Sequence, residues 1–131
     1  MEDNFKLEII SPEKIIFSDE AKMVTLPSYE GDMSILKNHI SIITFLRPGI
    51  IITNKDDGKI EKFFVEDGIA EFNTNTLIIL SSSILNIKEL SKDFIDNLSK
   101  ITQDKLSQKD LLDHDRYVLN CKLDVLKEIR I

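Results

Sequence analysis

The sequence predicts an α+β protein: an all-β N-terminal domain followed by an antiparallel pair of helices. Three observations carry this. Apolar and polar residues alternate through the first two thirds of the chain. Turn-forming pairs interrupt that stretch at short intervals. After Ser81-Ser82-Ser83 the apolar period lengthens to that of a helix, and neither Pro nor Gly follows Gly68.

Taking the elements in order, Phe5, Leu7 and Ile9 alternate with Lys6 and Glu8, as in a half-buried strand. Ser11-Pro12-Glu13 is a turn; residues 14–17 resume the extended run and residues 23–26 form another. Pro48-Gly49 suits the centre of a type II turn, where Pro presets φ and Gly takes φ > 0. Residues 50–53 are β-branched throughout, and Asp57-Gly58 between residues 50–54 and 60–65 signals a hairpin. Asp67-Gly68 repeats the device before residues 69–72, and Asn73-Thr74-Asn75 turns into residues 76–80. Short strands at this spacing point to a sandwich or barrel. Gly31, Gly49, Gly58 and Gly68 all fall at turns, where backbone geometry accounts for at least three of them.

In the remaining chain Leu90, Phe94, Leu98 and Ile101 recur at helical spacing, with Ile95 on the flank. Asn86 and Glu89 have the spacing of a capping box. A second helix is expected from Ser107, with Asp110 three residues on and a stripe of Leu112, Leu119, Leu123 and Leu126. Leu111, Val118 and Val125 lie alongside that stripe, and the helix would be about 30 Å long. The polar link of residues 103–108 suits an antiparallel pair. Such a hairpin has one apolar seam and needs a surface to lean on, either the β domain or a partner. The expected division is 1–86 and 87–131.

Composition narrows the function. Of 131 residues, 42% are hydrophobic and 31% charged, which is globular rather than disordered. No apolar run is long enough to span a membrane, and Glu2 and Asp3 argue against a secretory or transit leader. A net charge of −6 argues against nucleic acid as a partner. That charge is uneven: residues 1–86 hold 14 Asp and Glu against 8 Lys and Arg, whereas residues 87–131 hold 9 of each. The second part therefore carries a basic complement for an acidic partner. Cys121 alone cannot close an internal disulfide, which fits a reducing compartment, and it reads as a small apolar filler.

Chemistry is sparse. His39 and His114 lie in different parts, and neither has a zinc-binding spacing with Cys121. Asp113-His114-Asp115 reads as a solvated helix face, because neighbours on a helix point apart. Phosphate-binding glycine loops and nucleophile elbows are absent. Glu30 and Asp32 flank Gly31 and read as an acidic surface turn rather than a catalytic carboxylate pair. No nucleophile, base and orienting group assemble, so an interaction subunit is expected rather than an enzyme, with no metal and no cofactor.

Several segments, taken together in order, are recognisable. Leu26-Pro27-Ser28-Tyr29-Glu30-Gly31-Asp32-Met33-Ser34-Ile35-Leu36 leads into Asn38-His39-Ile40-Ser41-Ile42-Ile43-Thr44 and then Leu46-Arg47-Pro48-Gly49. The opening Leu7-Glu8-Ile9-Ile10-Ser11-Pro12-Glu13 precedes them, and Phe64-Val65-Glu66-Asp67-Gly68-Ile69-Ala70-Glu71-Phe72 follows. This set resembles the epsilon subunit of bacterial and plastid F-type ATP synthases, the delta subunit of mitochondria. Ser34 stands where that family usually has Gly, Ile40-Ser41 where it has Ala-Pro, and Asp67 where it has the first of two glycines.

The resemblance implies a β-sandwich of about ten strands plus a helical hairpin, in a non-catalytic rotor subunit. It implies gamma and the c-subunit ring as partners of the sandwich. Tyr29, Glu30, Gly31, Asp32 and His39 would match the ring-facing loop, with an internal hydrogen bond as the alternative role for His39. The hairpin would switch between a compact state and one extended into the catalytic head of alpha and beta subunits, blocking hydrolysis. Arg116, Lys122, Lys127 and Arg130 would then approach an acidic segment of the catalytic subunit. Some members bind ATP on helix one through an (Ile/Leu)-Asp-x-x-Arg-Ala motif. Here helix one has no arginine, and the similar Leu112-Asp113-His114-Asp115-Arg116-Tyr117 lies in helix two, so ATP binding is not expected. A peripheral place on the cytoplasmic face of a bacterial membrane is implied. The competing reading is an unrelated β-sandwich adaptor whose hairpin docks a protein partner.

Overall fold

A computed structural model describes residues 3–129. Ten strands come first: β1 (Phe5–Ile10), β2 (Ile15–Ala21), β3 (Met23–Ser28), β4 (Gly31–Leu36), β5 (Ile42–Leu46), β6 (Gly49–Asn54), β7 (Ile60–Val65), β8 (Gly68–Asn73), β9 (Thr76–Leu80) and β10 (Ile84–Asn86). A short 3-10 turn, Ile87–Glu89, leads to α1 (Lys92–Leu106) and α2 (Asp113–Glu128). The strands run in the order β10-β7-β6-β3-β5-β8-β9-β1-β2, with β4 paired to β3. β3 and β5 share the single bridge Ser28↔Leu46. The path therefore folds over at this point into two layers, β10-β7-β6-β3-β4 and β5-β8-β9-β1-β2. β1 lies parallel to β9 and antiparallel to β2.

Alternation fills the space between the layers. Phe5, Leu7 and Ile9 of β1, Ile51 of β6, Ala70 and Phe72 of β8, and Leu77 and Ile79 of β9 are buried in one cluster. Phe5 meets Phe72 edge-on at 5.5 Å. The expected hairpin at Asp57-Gly58 joins β6 to β7, with Gly58 at φ +83°. Pro48-Gly49 does not form the expected type II turn: Gly49 opens β6, and among the described glycines only Gly31, Gly58 and Gly68 have positive φ. Gly49 is needed for space instead, since a Cβ there would lie 2.4 Å from Pro27 Cβ. Gly68 is likewise tight, with a Cβ falling 2.7 Å from the Leu80 carbonyl oxygen.

The helices begin later than the sequence suggests. Asn86 caps the 3-10 turn by accepting from the Lys88 N–H, and Ser91 caps α1 by accepting from the Phe94 N–H. Ser107, expected to start the second helix, ends the first: its N–H reaches the Gln103 and Asp104 carbonyls, and its hydroxyl donates to Asp104 O. α2 therefore has 16 residues, about 24 Å rather than 30 Å. The α1 seam is also rotated. Ile95 and Thr102 are buried, while Phe94 and Ile101 are 43% and 49% exposed. Thr102 can be buried because its hydroxyl donates to Leu98 O at 2.7 Å.

Candidate functional site

Each layer has an outer face, and the two are used differently. On β5-β8-β9-β1 the register sets Phe45 opposite Ile69, Ile69 opposite Leu80, and Leu80 opposite Ile10. These four side chains form an apolar row across four strands, with Phe45 62% exposed. A parallel row holds Ile43, Glu71, Ile78 and Glu8. Beside the first row lies a groove of about 670 Å³, walled by Pro12, Tyr29, Phe45, Ile69 and Leu80. An exposed apolar row of this kind is a candidate docking face.

The other outer face is covered by the hairpin. Phe64 of β7 is buried among Leu90, Ile95, Val125 and Leu126, with Ile50 of β6 packed alongside. Lys122 of α2 is only 8% exposed and meets Glu66 at 2.6 Å. Its buried stem packs while its ammonium is paired, the condition under which a lysine is tolerated inside. At the N-terminal end of α2 the rings of His114 and Tyr117 lie 6.0 and 6.3 Å from that of Tyr29. Between hairpin and sandwich a cleft of about 510 Å³ is lined by Tyr29, Glu66, Leu111, His114 and Leu119. Burial raises the pKa of the Tyr29 phenol, and a hydrogen bond with Cys121 raises that of Tyr117.

The structure separates residues that the sequence grouped. Tyr29 and Glu30 form the two-residue turn of the β3–β4 hairpin, closed by the pair Ser28↔Gly31. His39 lies past the far end of β4, about 17 Å along the strand. These residues are therefore not one loop. Glu30, Gly31 and Asp32 are exposed, and Asp32 accepts from Arg47 at 2.6 Å. Tyr29 points its ring at α2 instead. His39 packs edge-on to Phe72 at 5.9 Å, with Nδ1 2.7 Å from Ile40 O. Its loop is pinned by Asn38, at φ 68°, whose N–H donates to Asn75 Oδ1 at 2.7 Å.

On the helices, Arg116 is exposed and reaches Leu106 O at 3.4 Å, and Lys127 is exposed. Lys122 is occupied by Glu66, and Arg130 lies outside the described residues. Sequence reasoning missed Glu66 and the Phe45–Ile69–Leu80 row. The signal for the row was present: residues 43–46 and 78–80 are apolar at positions of both parities, so both strand faces had to carry apolar groups.

A sandwich with one face bare and the other capped by a docked helix pair defines a binding subunit of a larger assembly. The family model for the beta-sandwich domain of the ATP synthase Delta/Epsilon chain matches residues 4–87. The ATP synthase epsilon chain of Pelagibacter ubique (strain HTCC1062) is 45% identical over 130 residues, covering 98% of this chain and 99% of that one. That of Clostridium novyi (strain NT) is 36% identical over 116 residues, covering 88% of each. Among solved structures, a chain of the Euglena gracilis mitochondrial ATP synthase (OSCP/F1/c-ring) superposes with a TM-score of 0.74 at 20% identity, covering 92% of this chain and 76% of that one. A chain of the Tetrahymena thermophila mitochondrial ATP synthase central stalk and c-ring gives 0.61 at 12% identity, covering 94% and 93%. These two establish the fold. The chain belongs to the ATP synthase delta/epsilon chain family, non-catalytic accessory subunits of the F-type ATP synthase. Among the described residues no helix is long and apolar enough to cross a membrane.

Proposed function

We propose that this chain is the central-stalk subunit that joins gamma to the c-ring of an F-type ATP synthase, on the cytoplasmic side of the membrane. The apolar row Phe45–Ile69–Leu80–Ile10 carries the reading. It is the large apolar face that the hairpin leaves bare, and it is assigned to gamma. Glu71 and Glu8 in the neighbouring row suit basic residues of that partner. The acidic turn Glu30–Gly31–Asp32 is assigned to the polar loops of the ring. His39, at the opposite end of β4, is assigned the structural role its loop contacts suggest.

The hairpin is assigned a regulatory role. Docked, it spends Lys122 on Glu66. Released, it frees Lys122 to join Arg116, Lys127 and Arg130 against an acidic segment of the catalytic beta subunit, slowing hydrolysis. No nucleotide is assigned to it.

The test is co-elution with a catalytic head that contains gamma and lacks its own small subunit. One copy per head is expected, and Phe45→Glu should abolish binding by placing a charge in the row. Removal of residues 87–131 leaves the sandwich core intact, since every member of that cluster lies between Phe5 and Ile84. The truncated chain should bind the head and lose inhibition. Loss of binding on truncation would instead favour an adaptor that works through its hairpin.

A further inference from the structure

We infer that Tyr29 couples the apolar groove to the docked hairpin, so that filling the groove favours docking of α2. The inference rests on the reading of the apolar row, which borders this groove, as the seat of gamma, and so on the groove as part of that seat.

The position of Tyr29 follows from the topology. The two layers meet through the single bridge Ser28↔Leu46, and Tyr29 is the next residue after it. It is held at this corner from both sides. Its N–H donates to Phe45 O at 3.2 Å, and the Ser28 and Thr44 hydroxyls share a buried hydrogen bond of 2.7 Å. From the corner one residue borders two sites. It walls the groove beside Phe45 and Leu80, and it walls the cleft where it stacks against His114 and Tyr117.

Tyr29 is 40% exposed even with α2 docked against it, so with the hairpin released and the groove empty its ring has still more freedom, which docking must remove. An apolar side chain of gamma seated in the groove covers the exposed part of the ring. The ring is then already ordered for His114 and Tyr117, and docking costs less. A first partner that orders a shared group favours the second without any change of shape. The effect is reciprocal: a docked hairpin tightens the hold on gamma by the same factor. Glu30, Gly31 and Asp32 stay exposed with the hairpin docked, so contact of that turn with the ring does not compete.

The sole cysteine supplies the readout. Cys121 is half-buried on docked α2, one turn from Tyr117. Its rate of alkylation is measured in the full-length chain alone and at saturating gamma subunit. A drop of about fivefold on gamma binding is expected, the lower end of ordinary couplings. Tyr29→Phe should keep the drop and Tyr29→Ala should abolish it, each at gamma concentrations that saturate the variant. An unchanged or faster rate in the gamma complex of the unaltered chain overturns the inference while leaving the groove reading intact. An equal drop in Tyr29→Ala also overturns it, because gamma would then be shielding the thiol directly. Failure of gamma to bind, seen separately by gel filtration, removes the groove reading and the inference with it.

Discussion

Removing the two partners of the Lys122–Glu66 pair one at a time should have unequal effects. Breaking a buried ion pair by deleting one member costs about 3–5 kcal/mol when the survivor is trapped without a partner. Here the two are not equally trapped: the Lys122 side chain is 10% exposed, whereas that of Glu66 is 35% exposed. Glu66→Ala strands the ammonium in the interface. Its flexible stem lets it retreat toward water, which brings the expected cost down to about 2 kcal/mol. Lys122→Met keeps the packing of the stem and leaves a carboxylate that water can reach, at a cost of about 0–1 kcal/mol. Two kcal/mol shifts the docking equilibrium roughly thirtyfold. Alkylation of Cys121, half-buried while α2 is docked, should therefore run faster in Glu66→Ala, by at most roughly thirtyfold, and little faster in Lys122→Met. Equal acceleration in the two variants, or a larger one in Lys122→Met, would refute the reasoning, because the pair would then be acting through packing alone.

Three further outcomes are expected. Gly49→Ala drives a methyl group into the Pro27 ring, and urea unfolding should show a loss of about 1–3 kcal/mol, although glycine usually weakens a strand. Ser91→Ala removes the cap of α1 and should cost about 1 kcal/mol, read as lower helical ellipticity and a faster Cys121 reaction. Lys55, 2.6 Å away, holds the Asp19 carboxyl below its usual pKa. That contact contributes stability above the unfolded-state value of about 3.9, and the contribution is lost as pH falls through the lower folded value. Asp19→Asn should flatten this part of the acid dependence of the urea midpoint, and an unchanged slope would show that the pair is inert.

Where the sequence was legible, one physical signal stood alone. β1 alternates cleanly because its Lys6 side faces water, and Asp57-Gly58 needs no tertiary context to turn. β4 and β5 escaped the same reading because Leu36, Ile43 and Phe45 put apolar groups on their outer faces and blurred the period. The helix seam was misplaced for a related reason. Phe94 and Ile101 look like core residues by type, yet the interior position went to Thr102, whose hydroxyl is satisfied by its own helix. Proline before glycine suggested a turn at Gly49, where the real constraint is a neighbour across the sheet at Pro27. The acidic turn was visible as residues, but the stacking of Tyr29 on His114 and Tyr117 joins opposite ends of the chain and leaves no local trace.

The parallel pairing of β1 with β9 constrains how this protein is made. β1 leaves the ribosome before the other described strands, yet one of its two neighbours, Thr76–Leu80, emerges only after nearly the whole sandwich has been synthesised. At about 5–20 residues per second that interval is several seconds. During it Phe5, Leu7 and Ile9 can pair only with β2, as a two-stranded ribbon with an open apolar face. The nascent chain therefore depends on chaperones or on its own charges to stay unaggregated. Lys6 and Glu8, set between the three apolar residues, are placed to serve as gatekeepers against premature β-pairing with neighbouring nascent chains.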